Sequence, residues 1–311
     1  MAEISIVVPV LNEEESIKPF LQRTESVLDK IGKPYEIIFA LDPSTDNTKK
    51  IILDEIKRNK NIRLLVFSRQ FGQPAATVAG ISNCKGFFCV IIDVDLQDPP
   101  EIIVQLYNKA ISGNDVVYAK RRSRKGENFI KKIISSLGYY LINKLSDIHI
   151  PRDAGDFRII SRKVIDQLRK LNESHGFLRG MVAFVGYRQS YIEYDRDERY
   201  AGKSKYNKFF GSIKIALNGI IGFSSKPLVL MSLAGFIFAI ISFLIGIYYL
   251  IIKIIDPQIT PGLSSTVLFI TFFSGIQLLG LGLLGEYIGR IYDEVKKRPK
   301  FIIDKKINFD D

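Results

Sequence analysis

The chain opens on an unbroken apolar run, Ile4–Val10. An apolar run of strand length marks a strand buried on both faces. Positions 16–31 then repeat apolar residues at helical spacing, with Asn12 and several Glu near the start, where such residues suit a helix N-terminus. The alternation continues with a strand at Tyr35–Leu41, a helix at 45–59 and a strand at Ile62–Phe67. Pro74 stands where another helix can begin, because the first helical position needs no N–H. A fourth strand at 87–92, a helix at 101–112 and a fifth strand at 116–119 follow. Strands alternating with helices predict an α/β domain around a mainly parallel sheet.

The pattern changes toward the C-terminus. Between Lys226 and Lys253 lie 26 residues without Asp, Glu, Lys, Arg or His, and between Asp256 and Glu286 lie 29 more. A bilayer core about 30 Å thick needs roughly 20 apolar helical residues. Two transmembrane helices are therefore expected near 228–252 and 264–288. Lys203, Lys205, Lys208, Lys214 and Lys226 precede the first span, and Arg290, Lys296, Lys297, Arg298 and Lys300 follow the second. The connecting loop holds only Lys253 and Asp256 as charges. The positive-inside rule then puts both termini in the cytoplasm. The opening MAEISIVVPV reads as a strand rather than a signal peptide. Residues 207–226, apolar with sparse Lys, are expected to form an amphipathic helix at the interface. The expected organisation is a globular domain over 1–206, this interfacial region, a two-helix hairpin over 227–289 and a basic cytoplasmic tail over 290–311.

Charge narrows the partners. The 311 residues carry a formal net charge of +11, which points to an anionic partner such as a nucleotide, a lipid phosphate or a membrane surface. Two Cys and two His exclude a disulfide scaffold and give no basis for a structural zinc site. Cys84 and Cys89 read as reduced core residues.

In open α/β sheets ligands bind at the carboxyl ends of the strands. The residues there are Pro9, Asn12, Glu13 and Glu14 after the first strand, Asp42 to Asp46 after the second, Ser68 to Gln73 after the third, and Asp93-Val-Asp95-Leu-Gln97-Asp98 after the fourth. Asp93 and Asp95, at i and i+2, can both approach one hard cation, and Gln97 adds a neutral oxygen. Oxygen donors suit Mg²⁺ or Mn²⁺, which would offset charge on a departing phosphate. Residues 120–132 hold seven Lys/Arg against one Glu and lead into an expected helix at 128–145. A lipid phosphate needs such charge, and Arg supplies bidentate contacts.

The motifs VVPVLNEEES, LDPSTDNT, SRQFGQPAA, DVDLQDPPE and DAGDFRIISR, in this order, resemble family 2 glycosyltransferases, and more closely the polyprenyl-phosphate glycosyltransferases. The resemblance spans about residues 3–225, and the C-terminal hairpin is similar to that of bacterial members. It implies a GT-A fold (Rossmann-like), a nucleotide-sugar donor, a divalent metal and inverting transfer to a polyprenyl phosphate at a bacterial-type plasma membrane. Carried over, Pro9, Asn12 and Glu13 line the nucleotide pocket, and Asp42 contacts the base or ribose. Asp93, Asp95 and Gln97 hold metal and diphosphate, with Asp95 counted among the catalytic groups. Arg121, Lys131 and Ser135 hold the acceptor phosphate, joined by Arg199 and Lys205 from a loop that closes over the site. Asp156 is the candidate base or sugar-positioning group. Two departures stand out: Leu41 and Pro43 replace an Asp and a Gly that are frequent in the second motif, and Gln73 replaces a frequent Lys.

The acceptor sets the mechanism this resemblance implies. A phosphate monoester, with a second pKa near ~6, is already largely a dianionic nucleophile at neutral pH. The protein must instead hold two anions together and stabilise the leaving diphosphate. Glucose from UDP-glucose is the expected transfer, with GDP-mannose or another nucleotide sugar as the alternative. The absence of Trp and the presence of only two spans disfavour a processive polysaccharide synthase. Intact Asp93, Asp95 and Gln97 disfavour a catalytically inactive sugar-nucleotide scaffold. The acidic site and membrane-proximal cations disfavour a nucleic-acid binder. A two-span anchor is thin and leaves room for a homo-oligomer, for which no motif stands in the chain.

Overall fold

The apolar runs Ile4–Val10 (β1), Tyr35–Leu41 (β2), Ile62–Phe67 (β3) and Phe88–Ile91 (β4) form adjacent parallel strands in the order β4-β1-β2-β3. The computed structural model describes residues 2–122, 144–145, 154–171, 173, 178–197, 200, 220–255 and 262–309. β1 is buried along its whole length, as a central strand covered on both faces must be. Pro9 is tolerated there because the β4 ladder stops at Val7↔Ile91, two residues before it.

Four helices connect these strands: α1 (Ile17–Ile31), α2 (Thr48–Arg58), α3 (Gln73–Asn83) and α4 (Ile102–Ile111). α1 buries Ile17, Phe20, Leu21, Thr24, Val27 and Leu28 along one stripe and ends at Gly32, whose φ of 66° closes it in the left-handed region. α2 starts at Thr48, three residues later than its apolar pattern predicts, because the residues before it are held in the rim of the sheet. α3 lies so close to β1 that a Cβ on Gly80 would meet Val7 Cγ1 at 2.2 Å. One core layer joins Phe20, Phe39, Ile103 and Leu106, and the opposite layer joins Val7, Ala79, Val164 and Met181. The result is helices on both faces of one sheet.

The expected fifth strand follows, and two further strands and two helices lie beyond the expected alternation. β5 (Val116–Arg121), β6 (Ala154–Ser161) and β7 (Gln189–Tyr194) extend the sheet, with α5 (Arg162–Lys170) and α6 (Leu178–Val185) between β6 and β7. β6 inserts between β4 and β5, antiparallel to both, and β7 runs parallel to β5. This reversal matters for the site. It brings the beginning of β6 to the same rim as the carboxyl ends of β1 to β5 and β7.

Two long helices follow, α7 (Lys226–Ile255) and α8 (Leu263–Val295). Lys226–Ile252 and Thr266–Val295 are long and apolar enough to cross a membrane, and none of either span is buried by protein. They touch through the Phe238 and Phe273 rings, 5.8 Å apart. The stretch expected to be only a basic tail contains an eighth strand, β8 (Ile303–Ile307), antiparallel to β3 at the sheet edge. The sheet order is β7-β5-β6-β4-β1-β2-β3-β8. Of the expected interfacial helix, residues 207–219 lie outside the described residues, as does the expected helix at 128–145 apart from residues 144 and 145.

Candidate active site

The rim begins with two loops stapled together. Asn12, in the left-handed region at φ 49°, donates its N–H to Ser44 Oγ at 3.0 Å and accepts the Thr45 N–H on Oδ1 at 2.7 Å. The Glu13 N–H donates to Thr48 Oγ1 at 2.8 Å, and its carboxylate accepts the Ser16 hydroxyl at 3.0 Å. Asn12 tolerates that backbone better than most side chains would. Both residues thus shape the rim between β1 and β2. Pro9 is buried inside β1 and presents almost no surface.

Asp42, expected against a base or ribose, follows β2 and faces the loop after β3. It is buried, and its two carboxylate oxygens accept the N–H of Phe71 at 3.0 Å and of Gly72 at 2.8 Å. It therefore fixes the loop after β3. Gly72, at φ 88°, makes the turn that lets both amides face one carboxylate. One residue further on, the Gln73 side-chain amide donates to Asp93 Oδ1 at 2.7 Å.

The turn after β4 carries the acids. Asp95 Oδ1 accepts the Gln97 N–H at 3.1 Å, and Leu96 adopts φ 59° to make the turn. The segment after β7 crosses this turn: the Asp197 N–H donates to Gln97 O at 3.0 Å and the Tyr200 N–H to Asp95 O at 3.3 Å. Burial first, and then the charges of Asp156, Asp98 and Asp95, push the Asp93 carboxyl up to about 7, with Arg196 opposing. Among the described residues no three Asp, Glu, His or Cys side chains are grouped to hold a metal ion unaided.

Opposite the acids stands a wall of arginines. Asp98 is buried and accepts the Tyr194 hydroxyl, with Arg121 Nη2 at 3.5 Å and Arg196 Nε at 3.6 Å. Burial, then Asp98, raise the Tyr194 phenol above its ordinary pKa, which keeps it a donor. At the start of β6, Asp156 Oδ1 accepts Arg179 Nε at 2.9 Å, with Arg158 Nη2 at 3.9 Å. Burial works to raise the Asp156 carboxyl, but Arg179, Arg158 and Arg121 outweigh it and hold the group below its usual value. Burial lowers Arg158 to about 10, so it stays charged at neutral pH while donating to Gly155 O at 2.8 Å.

The structure gathers Asp93, Asp95, Gln97, Arg121 and Asp156 on one rim. Lys131, Ser135, Arg199 and Lys205 lie outside the described residues. Sequence reasoning did not single out Asp98, Arg158, Tyr194 or Arg196 as site residues, although Asp98 and Arg158 sit inside motifs it used. Tyr194 was accessible through the alternating pattern QSYIEY of β7, and Arg196 stands two residues beyond it. Arg179 stands on α6 among apolar residues and carries no local signal of its role.

Comparison with known proteins agrees with this architecture. The model of the family described as "Glycosyl transferase family 2" matches residues 5–169. An uncharacterized glycosyltransferase of Bacillus subtilis is 43% identical over 303 residues, covering 97% of this chain and 94% of the relative. The bactoprenol glucosyl transferase of Shigella phage SfII is 41% identical over 305 residues, covering 97% of this chain and 98% of the relative. Among solved structures, glucosyl-3-phosphoglycerate synthase from Mycobacterium tuberculosis, bound to Mn²⁺, UDP and glucosyl-3-phosphoglycerate, superposes with a TM-score of 0.51 at 19% identity. That match covers 72% of this chain and 81% of the synthase, and shows the shared GT-A fold. With the motifs at the ends of β1 to β4, the family match over that domain and full-length relatives above 40% identity, the chain belongs to glycosyl transferase family 2.

Proposed function

We propose that this enzyme transfers glucose from UDP-glucose to a polyprenyl phosphate, inverting the anomeric centre, at the cytoplasmic face of a membrane. The observation that carries this reading is the meeting of two opposite clusters on one rim. Arg121 and Arg196 reach Asp98, three residues beyond Asp95, and Arg179 reaches Asp156, whose charge bears on Asp93. The name of the phage relative, bactoprenol glucosyl transferase, supports the acceptor and the sugar.

The donor lies over the loops after β1, β2 and β3, which Asn12, Glu13 and Asp42 hold in shape. A divalent cation fits the turn after β4. Its donors are hard oxygens, and the crowding that raises Asp93 is the kind a cation relieves. Mg²⁺ and Mn²⁺ take few protein carboxylates and fill their shells with phosphate oxygens, which suits the pair Asp93 and Asp95 with Gln97. Bound there, such an ion would supply charge neutralisation for the leaving diphosphate.

The chain's own residues do the rest. Arg121, oriented by Asp98 and Tyr194, receives the acceptor phosphate. Lys131, Arg199 and Lys205 complete that cation set in this reading, and Ser135 adds a hydroxyl. The acceptor dianion needs no base to become a nucleophile. Asp156, kept ionised by its arginines, accepts a hydrogen bond from a sugar hydroxyl, or takes the remaining proton of a monoanionic acceptor phosphate. Arg158 fixes the backbone on which Asp156 stands.

The membrane reading rests on α7 and α8, whose exposed apolar surface far exceeds what soluble proteins leave bare. β8 supports the topology. It follows α8 yet pairs with β3, so the hairpin leaves and returns on the side of the sheet. The test is incubation of membranes with polyprenyl phosphate and a panel of radiolabelled nucleotide sugars, GDP-mannose included. The expected result is lipid-extractable label from UDP-glucose; no label from any donor would refute the function, and label from another donor alone would replace the sugar.

A further inference from the structure

The chain beyond α8 is attached to the rim. Lys300 Nζ donates to Leu171 O at 2.8 Å, and the Ser68 N–H donates to Ile302 O at 3.1 Å. β8 then runs back along β3, with Ile303 opposite Phe67 and Ile307 opposite Leu64, and a register shift between Val66 and Phe67. The Phe301 ring lies 6.0 Å from the Phe67 ring, and Phe67 meets Phe71 edge-on at 6.1 Å. The Arg69 guanidinium covers Phe71 at 4.0 Å. Three aromatic rings thus link the segment emerging from α8 to the loop after β3.

That loop is gripped on its other side by acids. Asp42 takes the N–H groups of Phe71 and Gly72, and Gln73 reaches Asp93. Phe71 is the one large apolar side chain in Ser68–Arg69–Gln70–Phe71–Gly72–Gln73, so it is the loop's apolar anchor. The anchor needs Phe67 held in place, and Phe301 packs against Phe67. β8 also covers β3, which would otherwise be an open edge strand.

We propose that Phe301 is a positioning residue for the donor site: with the Ile302–Ile303 backbone, it sets the 68–73 loop in the register that receives a nucleoside-diphosphate sugar. This rests on the reading of that loop as the donor side, given above. The acceptor cluster around Arg121 stands on β5, five strands from β3, about 24 Å at ordinary strand spacing. Disturbing Phe301 therefore acts on one substrate and spares the other.

The experiment uses the full-length, detergent-solubilised enzyme and the variants Phe301→Ala, Phe301→Leu and Phe301→Tyr. KM is measured for UDP-glucose and for polyprenyl phosphate separately, and UDP binding by calorimetry. Phe301→Ala is expected to raise the donor KM and the UDP Kd by about tenfold, the upper range for one aromatic contact, with the acceptor KM nearly unchanged. Phe301→Tyr keeps the ring and is expected to restore the donor KM. Phe301→Leu keeps apolar volume but not the ring contact, and decides the matter by a smaller rise, about threefold, if the Ala variant does not fold. An unchanged donor KM in a folded Leu or Ala variant, or donor and acceptor KM rising together, overturns the positioning role. A wild-type enzyme that binds no UDP overturns the donor reading beneath it.

Discussion

Arg179 Nε donates to Asp156 Oδ1 at 2.9 Å, joining α6 to the start of β6. Arg158 flanks the same oxygen at 3.9 Å. Burial would raise this carboxyl, and the arginines hold it low instead. Beneath the limb that the acceptor phosphate sets near ~6, wild-type kcat should therefore show no second loss until the pH drops below the usual carboxylate range. Arg179→Gln removes the nearest cation, so burial gains and Asp156 titrates at higher pH. That second loss is expected to move upward, and kcat at neutral pH to fall by about tenfold or more. Arg179→Lys keeps a charge without the planar fork and should restore part of the loss. A pH–rate profile in which that second loss stays in place would remove Asp156 from the chemistry.

Asp95 is the buried member of the acidic pair after β4. Asp95→Asn preserves its shape and its reach to the Gln97 N–H while removing one negative charge. Activity that depends on added Mn²⁺ or Mg²⁺ should fall at least about a hundredfold, because the stabilisation of developing phosphate charge is lost. Titrating the metal at saturating substrates measures this. An Asn variant that reaches wild-type turnover at the same metal concentration would move the cation elsewhere.

The parallel half of the sheet was legible because strands buried on both faces show no alternation, and β1, β2 and β3 begin and end where their apolar runs do. β8 was not legible. Its sequence, IDKKI, is charged at three of five positions, and only its edge position, with one side to solvent, makes that acceptable. The acids of the site were readable because a topological rule assigns strand ends to ligands. Arg121 was readable from its basic run, but Arg158 and Arg179 were not, since they gain their role from a strand reversal that no local pattern announces. The loop-holding part of Asp42 was not legible either, since a carboxylate at a strand end does not announce its partners, here the Phe71 and Gly72 amides.

Asp98 links Arg121, Arg196 and Tyr194 from a buried position. Asp98→Asn keeps an acceptor for the Tyr194 hydroxyl but no longer holds two guanidinium groups by charge. Arg121→Ala removes the phosphate contact itself. Both are expected to raise the KM for polyprenyl phosphate more than that for UDP-glucose, with Arg121→Ala the stronger, by about tenfold or more. Steady-state kinetics with each substrate varied in turn distinguishes the sites. A donor KM that rises more than the acceptor KM in both variants would reassign Arg121 to the diphosphate.

The last prediction concerns the scaffold that carries the rim. Gly80 faces Val7 so closely that any Cβ there must displace the Val7 side chain, since Cγ1 would lie at 2.2 Å. Val7 is fully buried in the central strand, two residues before Pro9, and its neighbours leave it no free direction. Gly80→Ala should therefore destabilise the domain by roughly 1–3 kcal/mol, the usual cost of overpacking, even though Ala is the better helix former. Val7→Ala in the same chain removes the colliding methyls, so the double variant should melt above Gly80→Ala alone. Thermal unfolding of the three proteins gives the comparison, and a Gly80→Ala enzyme as stable as wild type would mean that α3 sits further from β1 than this packing requires.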